Sequence, residues 1–418
     1  MEYKKLYMGG YNLHLIKTDK FKVTHIEAII HNNIDVKDIT KRQMLARMLA
    51  NSNMTYNTNR KLNLKLEDLY DANFYSFTSK VGNSFITNFA IDFLNPEFTD
   101  KGVLKECTKL LFDMILNPYV NIGEFDNKTF NIIKERLRDD INEVKEDPKR
   151  YALFNALKLL GDSPSAYSNL GLIDDLEEIT PNNLYEYYEK VLKNDYVDIF
   201  VIGNVDMEEA TKYVIEYAKF NVIKNHKLDM HVYNPKVKER FYSDKIRAAQ
   251  SNIVVILNLN DLTTYEERYV ANIYNIILGQ NPVQNKLFKK LREDNSLCYS
   301  ISSFYQKYDN LIIINTGVDH NASTKTIKLI KDALKEMNNN ITDVELDNAK
   351  EQVITSLNYA KDNLERIIDN YFYQDMGELD DIDERIKIFK NVSKEEIYAL
   401  NKKISVGLVY ALEGGENE

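Results

Sequence analysis

Residues 74–93 read FYSFTSKVGNSFITNFAIDF, and apolar side chains alternate with polar ones through most of this stretch. Such alternation is typical of half-buried β-strands, so the sequence predicts strands at Phe74–Lys80 and Ser84–Phe93. The second predicted strand places its three phenylalanines on one face. We therefore expect a β-sheet that buries this face against the core.

These two strands end a pattern that occurs twice in the chain. The first copy is a strand, two helices and two strands: His25–Ile30, Lys41–Ala50, Leu66–Tyr70, Phe74–Lys80 and Ser84–Phe93. The second copy has the same order: Ile253–Leu259, Tyr265–Leu278, Gln284–Glu293, Tyr299–Phe304 and Leu311–Val318. Further along, the helix Lys128–Lys145 matches Thr342–Lys361, and the strand Val197–Ile202 matches Gly407–Leu412. A repeat longer than the roughly 20–50 residues of solenoid units indicates a duplicated domain.

We therefore expect an α+β fold of two homologous αβ lobes, each a mixed, mainly antiparallel sheet with helices on one face. The 418 residues suffice for two domains of about 200 residues each. The predicted division is an N-terminal lobe at 1–219, a polar linker without periodicity at 220–242, and a C-terminal lobe at 243–418. Thr180 before Pro181, and Ser393 with Glu396, predict corresponding helix starts in the two lobes.

Composition excludes several classes of function. The formal charge is −10 and there is no basic block, so nucleic acid is not an expected partner. No uninterrupted apolar run approaches about 18 residues, and the first residues lack the apolar core of a signal peptide, so we expect no membrane span. The two cysteines, Cys107 and Cys298, fall in different lobes and are interpreted as packed thiols, which favours a cytoplasmic location.

The duplicated pattern resembles the pitrilysin or insulinase-like zinc peptidases, which include mitochondrial processing peptidase and its bacterial relatives. The resemblance covers essentially the whole chain. It implies that two chains of this size, four lobes in all, enclose a peptide chamber. Within the family, the chain is most similar to bacterial non-catalytic subunits that work beside an active sister.

The family's zinc motif is His-x-x-Glu-His on the first helix, with a further glutamate about 80–100 residues later. Two imidazoles four residues apart lie on one helical face and bind the metal, while the glutamate accepts a proton from the bound water. In this sequence the motif aligns with Gln43–Arg47, so Gln43 and Arg47 replace the histidines and Ala46 replaces the base. The later ligand falls near Asp140. Since arginine has no lone pair to donate, we expect no zinc in this chain and no peptidase activity by the chain alone.

No other pair of the six histidines has ligand spacing on a shared helix. His25 and His31 lie in and beside a predicted strand, where we interpret them as structural. An independent metallopeptidase with a relocated zinc site is a third hypothesis, beside the two that are described at the end of this section.

The second copy carries a different signal. Residues 287–303, LFKKLREDNSLCYSISS, resemble the family's C-lobe motif, in which an arginine and a tyrosine seven residues apart face the zinc; here they are Arg292 and Tyr299. An arginine fork can bind a peptide carbonyl or carboxylate, and a phenol can hydrogen-bond the oxyanion formed on attack. The alternative is structural, a helix-terminal arginine and a strand tyrosine packing against neighbours.

The leading hypothesis is a zinc-free, non-catalytic subunit of a heterodimeric cytoplasmic metallopeptidase. It would bind an extended peptide and supply Arg292 and Tyr299 to a zinc-bearing sister subunit, with Phe74–Lys80 as a peptide-binding sheet edge or as an ordinary edge strand. The chain itself would need no cofactor and would form a homodimer, if any, only when alone. The alternative is a proteolytically inert scaffold or peptide-binding protein of the same fold.

Overall fold

The structure is a computed structural model that describes residues 1–100, 102–221, 228–232, 239–281 and 284–415. It divides into two compact units, each built from three stretches of chain. Unit 1 comprises Met1–Ile141, Ser168–Met230 and Asp362–Phe372. Unit 2 comprises Asn142–Tyr167, His231–Lys361 and Tyr373–Glu418.

The strands, in chain order, are β1 Glu2–Tyr7, β2 Asn12–Lys17, β3 Val23–Asn33, β4 Asn73–Val81, β5 Ser84–Leu94, β6 Val120–Asn121, β7 Glu124–Phe125, β8 Tyr196–Gly203, β9 Arg240–Arg247, β10 Gln250–Leu259, β11 Cys298–Gln306, β12 Leu311–Asp319 and β13 Ile404–Gly415.

The α-helices are α1 Ile39–Asn51, α2 Asn59–Asp68, α3 Val103–Leu116, α4 Asn127–Glu143, α5 Pro148–Lys158, α6 Ile173–Glu177, α7 Pro181–Asn194, α8 Met207–Tyr217, α9 Ala271–Asn275, α10 Lys286–Phe288, α11 Ser323–Glu336, α12 Asp343–Ala360, α13 Leu364–Asp375, α14 Ile382–Asn391 and α15 Lys394–Asn401. Single π-helical turns at Glu266–Val270, Ile276–Gln280 and Lys289–Glu293 extend α9 at both ends and α10 at its C-terminus. Short 3₁₀ turns lie at Val36–Asp38, Pro96–Phe98, Pro164–Ala166 and Lys307–Asp309.

Unit 1 contains a six-stranded sheet in the order β1-β2-β8-β3-β5-β4. Every neighbouring pair is antiparallel except β2 and β8, so β4 forms one edge of the sheet. One face, which includes Ile26, Ala28 and Ile30 of β3, packs in the main core with buried residues of α1, α3 and α7. This burial of the apolar face confirms the alternation predicted for residues 84–93.

Unit 2 contains a five-stranded sheet in the order β11-β12-β10-β13-β9. Only β13 and β9 are parallel. Both faces are apolar, as the uninterrupted run at the start of β12 indicates. Ile312 and Ile314 lie in the main core with the helices of this unit, whereas Ile313 lies on the opposite face in a second cluster with Ala152 and Ala156 of α5.

The predicted fold class is confirmed, since each unit is a mixed, mainly antiparallel sheet with helices packed on it. The predicted repeat is also present, because strands and helices follow the same order in both copies. Both predicted helix starts carry reciprocal capping hydrogen bonds, Thr180 with Asn183 and Ser393 with Glu396. Most predicted boundaries differ from the observed ones by up to three residues, and one helix start is further off. The helix placed at 66–70 is α2, which starts at residue 59 because the Thr58 hydroxyl caps it.

The predicted division assigned one continuous stretch of chain to each lobe, whereas each unit also contains a stretch from the other predicted lobe. Residues 142–167 fall before the predicted linker and yet belong to unit 2, where α5 covers the second face of the sheet. Residues 362–372 fall within the predicted C-terminal lobe and yet belong to unit 1. In the linker itself, residues 222–227 and 233–238 lie outside the described residues, and residues 240–242 already form part of β9.

The second face of the unit 1 sheet buries apolar side chains, such as Ile29 and Phe200, beside polar ones, and segment 362–372 packs on it. His14 and His31 each contact one carboxylate oxygen of the buried Asp198, at 3.0 and 2.8 Å. The ring of Phe372 packs edge-on against His31 with 5.1 Å between centroids. Hydrogen bonds between buried polar groups thus accompany apolar packing on this face.

His25 lies on the same face between two carboxylates. Its Nδ1 lies 2.7 Å from Asp92 and its Nε2 lies 3.2 Å from Glu27. Burial disfavours the charged imidazolium, but the two hydrogen bonds outweigh this effect and raise the pKa of His25 to about 9. The interpretation of His25 and His31 as structural histidines is therefore confirmed.

No helix in the described part of the chain combines the length and the apolar character needed to cross a membrane.

Replacing Phe372 by alanine tests whether segment 362–372 stabilises unit 1. Phe372 is buried, and we expect Phe372→Ala to lower the free energy of unfolding by about 3–5 kcal/mol, since a large ring leaves a cavity. Tyr359→Ala is the control, because Tyr359 is exposed and its loss is expected to change stability by less than about 0.5 kcal/mol. Urea unfolding followed by circular dichroism suits a chain without tryptophan. Equal effects of the two substitutions would contradict the contribution of this segment.

The raised pKa of His25 predicts a pH dependence with a defined sign. A group whose pKa is raised on folding stabilises the native state fully below its unfolded pKa and loses that effect as the pH rises through the folded value. The difference in unfolding free energy between the unsubstituted chain and His25→Asn should therefore shrink by roughly 3 kcal/mol between pH 7 and pH 10. His320→Asn, at an exposed histidine, is the control. If the difference in unfolding free energy stays constant over this pH range, His25 is not held as a charged imidazolium between Glu27 and Asp92.

Candidate functional site

The helix α1 carries the positions that align with the zinc motif. Met44, Leu45 and Met48 face the core of unit 1, which fixes the rotation of the helix. Gln43 is buried, and its amide Nε2 donates to the Thr78 hydroxyl of β4 and to the backbone carbonyl of Asn169 at 2.8 Å. The amide thus serves as a structural hydrogen-bond donor on this face.

The second histidine position holds an ion pair. The Arg47 guanidinium lies 2.7 Å from the carboxylate of Asp140 on α4, the residue aligned with the later zinc ligand. The fold therefore brings two of the predicted site positions together, with a cationic side chain where the family has an imidazole. Both side chains are partly exposed, so the pair is expected to stabilise the fold by no more than about 1 kcal/mol.

The position of the catalytic base is filled by buried Ala46. Its methyl group lies in the core, and its backbone carbonyl accepts a hydrogen bond from Ser76 of β4 at 3.2 Å. Zinc requires ligands with lone pairs, preferably imidazole, thiolate or carboxylate. Of these four aligned residues only Asp140 provides such a ligand, and Arg47 already pairs with it. The residues present do not fit a zinc ion.

Arg292 and Tyr299 lie close together in unit 2. Arg292 is in the π-helical turn that follows α10, and its guanidinium lies over the ring of Phe288 at 5.1 Å from the centroid. One guanidinium N–H donates to the backbone carbonyl of Tyr299. The guanidinium is therefore fixed to the first turn of β11 and keeps donors that this hydrogen bond does not use.

Tyr299 is 79% exposed, and its phenol makes no hydrogen bond within the described residues. It lies within an irregularity in the pairing of β11 with β12, between Cys298 and Ile301, where Tyr299 and Ser300 are both exposed. Such a bulge directs side chains away from the regular alternation of a strand. The arrangement presents a phenol and a partly free guanidinium on one surface of unit 2.

The sequence did not identify two neighbours of these positions. Asn169 contacts Gln43 although 126 residues separate them, and no local pattern predicts that contact. Phe288 precedes Arg292 by four residues, a spacing that places side chains together on a helix. The contact between Phe288 and Arg292 could therefore have been predicted from the sequence. Cys107 and Cys298 are both buried and free, in agreement with their interpretation as packed thiols.

Comparison with known proteins shows what the chain is similar to. The family model described as the Peptidase M16 inactive domain matches residues 178–353. A protein of Bacillus subtilis (strain 168) named "Probable inactive metalloprotease YmfF" is 23% identical over 419 residues, which cover 98% of this chain and 97% of that protein.

Two crystal structures share the fold over the full chain. A conserved protein from Enterococcus faecalis V583 is 25% identical, with a TM-score of 0.93 and coverage of 100% of this chain and 99% of that one. A peptidase M16 inactive domain from Pseudomonas fluorescens has a TM-score of 0.79 at 16% identity and covers 100% of both chains. The chain is therefore similar to the Peptidase M16 inactive domain over residues 178–353, and over nearly its whole length to a protein named as a probable inactive metalloprotease.

Restoring the motif tests the account of the degenerate site. A variant with Gln43→His, Ala46→Glu, Arg47→His and Asp140→Glu supplies the complete ligand set, and we expect it to bind about one zinc ion per chain after dialysis. Gln43→His alone is the control and should bind none, because Arg47 still pairs with Asp140. Metal content would be measured by mass spectrometry and folding by circular dichroism. Stoichiometric zinc in the unsubstituted chain would contradict the account.

Proposed function

We propose that this chain is the zinc-free subunit of a two-chain M16 peptidase, in which a zinc-bearing sister subunit carries the metal and this chain binds the peptide. The observation that supports the proposal is the contrast between the two candidate sites. In unit 1 the aligned ligand positions are paired with other protein groups, whereas in unit 2 Arg292 and Tyr299 present hydrogen-bond donors at the surface.

The chemistry follows from these donors. The Arg292 guanidinium can donate to a peptide carbonyl or carboxylate through the N–H groups that Tyr299 leaves free. The exposed Tyr299 phenol can donate to the oxygen that becomes negative when the peptide carbonyl is attacked. Because the guanidinium is bound to the backbone of Tyr299, both donors belong to the same part of unit 2. The metal, which would be bound by the sister subunit, would supply the activated water.

Peptide binding by this chain is proposed to use the free edge of the unit 1 sheet. Among the described residues the strand β4 pairs with one strand only, β5, and an extended peptide can add to such an edge through main-chain hydrogen bonds. We place the complex in the cytoplasm, in line with the two buried free thiols. A homodimer is proposed only for the chain in the absence of its sister.

A second candidate is a proteolytically inert peptide-binding protein of the same fold. The observation that favours it is the hydrogen bond from Arg292 to the Tyr299 carbonyl, since an arginine that stabilises a strand needs no substrate. The two candidates differ in one measurable respect. Only the first requires the side chains of Arg292 and Tyr299 for cleavage by a mixture of the two subunits.

The decisive experiment removes both donors. The sister subunit would be identified by co-purification, the two chains mixed, and the cleavage rate of an unstructured peptide measured. We expect Arg292→Ala with Tyr299→Phe to lower the rate about 100- to 1,000-fold, the range for loss of oxyanion-stabilising donors. Tyr359→Phe, at an exposed tyrosine of α12, is the control and should leave the rate unchanged. An unchanged rate in the double variant would favour the inert peptide-binding protein.

A further inference from the structure

A loop of unit 1 lies against the helix of the degenerate zinc site. The loop consists of residues 168–172, SNLGL, and is called the 168–172 loop below. Its Leu172 N–H donates to the Thr40 hydroxyl at 3.1 Å, and its Asn169 carbonyl accepts from Gln43 at 2.8 Å. Gly171 has a φ of +87°, and a Cβ there would lie 2.2 Å from the Thr40 hydroxyl oxygen. Only glycine permits this close approach.

The same loop reaches the free edge strand. The Asn169 side-chain Nδ2 donates to the backbone carbonyl of Thr78 in β4 at 3.1 Å. Gln43 donates both to the Thr78 hydroxyl and to the Asn169 carbonyl, so one amide connects helix, loop and strand. The three residues form a hydrogen-bonded group in which Gln43 stands where the family has its first histidine.

The chemistry of this group resembles that of an added strand. A strand that joins a sheet edge donates main-chain N–H groups to the carbonyls of the edge strand. The side-chain amide of asparagine carries the same N–H donor as a peptide group. Asn169 therefore makes, within the chain, the type of hydrogen bond that an incoming peptide would make with β4.

We infer that the 168–172 loop is a built-in occupant of the β4 edge, held by Gln43, and that an extended peptide binds this edge only by displacing Asn169. The inference rests on the proposed peptide binding but not on the contribution of Arg292 and Tyr299. It assigns to Gln43 a role beyond the loss of a zinc ligand, because the amide keeps the loop on the edge.

The contact of the Asn169 side chain with β4 is weak, although the rest of the loop is held on helix α1. The Asn169 side-chain oxygen is buried and has no hydrogen-bond partner among the described residues. A buried acceptor without a partner costs free energy, and this cost partly offsets the hydrogen bond from Asn169 to Thr78. A peptide offers several main-chain hydrogen bonds along the strand, whereas the loop makes one such bond at Thr78. Displacement by an extended peptide is therefore favoured once the peptide pairs over several residues.

The test measures peptide affinity of the full chain without any partner. The probe is a fluorescein-labelled peptide of about ten residues that alternates threonine and valine, a composition that favours strands. By fluorescence anisotropy we expect Asn169→Ala and Gln43→Ala each to bind it about fivefold more tightly than the unsubstituted chain, the equivalent of one hydrogen bond. Asn182→Ala is the control, since Asn182 is another asparagine of unit 1 with only a 3.4 Å contact to Gly123.

Hydrogen exchange locates the bound peptide. Saturating peptide should slow exchange of the amides of residues 73–81 in both variants. Equal or weaker binding by Asn169→Ala, or tighter binding without added protection of residues 73–81, would overturn the inference. Absence of binding by all four proteins would overturn both the inference and the proposed use of this edge. That result is distinguishable from failure of the Arg292 and Tyr299 proposal, which is measured separately as a cleavage rate.

Discussion

Burial of both faces of each sheet is the constraint on which the rest of this structure depends. Leu311 and Ile313 lie on one face of β12, and Ile312 and Ile314 lie on the other, and all four are buried. A strand of this composition is unstable if either face meets water, since each buried aliphatic side chain contributes about 1.5–3 kcal/mol. The helices that pack in the main core cover one face, and α5 covers the second. The sheet of unit 2 therefore depends on residues 142–167, which precede the rest of that unit in the sequence, to cover its second face.

Unit 1 meets the same constraint with different chemistry. Its second face carries buried histidines and carboxylates, and burial of such groups is tolerated only when they are paired. His14 and His31 both pair with Asp198, although the Nδ1 of His31 has no partner among the described residues, and His25 pairs with Glu27 and Asp92. The two sheets thus share a topology but differ on their second face, because the one in unit 1 buries hydrogen-bonded polar groups among its apolar side chains.

The sequence predicted what periodicity and local signals encode. Alternation located the strands of both copies, and residues such as Thr180 and Ser393 located helix starts because a cap is a contact between neighbours in sequence. The exchange of residues 142–167 and 362–372 was not predictable, since the sequence of a segment does not tell which of two sheets it packs against. Of the candidate site, the sequence identified the positions by resemblance. It could not supply the contact of Arg47 with Asp140 or of Gln43 with Asn169, which depend on tertiary structure.

The two candidate sites differ in whether their side chains contact other groups of the protein. In unit 1 the positions aligned with the zinc motif form contacts within the protein, so that Gln43 is buried and Arg47 is paired with Asp140. Groups that bind no ligand are free to be recruited in this way, since each added hydrogen bond is stabilising by about 1 kcal/mol. In unit 2 the opposite holds for Tyr299, whose ring stays exposed beside a bulge although burial of an aromatic ring would be favourable. The groups of one candidate site thus contact other protein groups, whereas the phenol of the other stays exposed on the strand to which the Arg292 guanidinium is anchored.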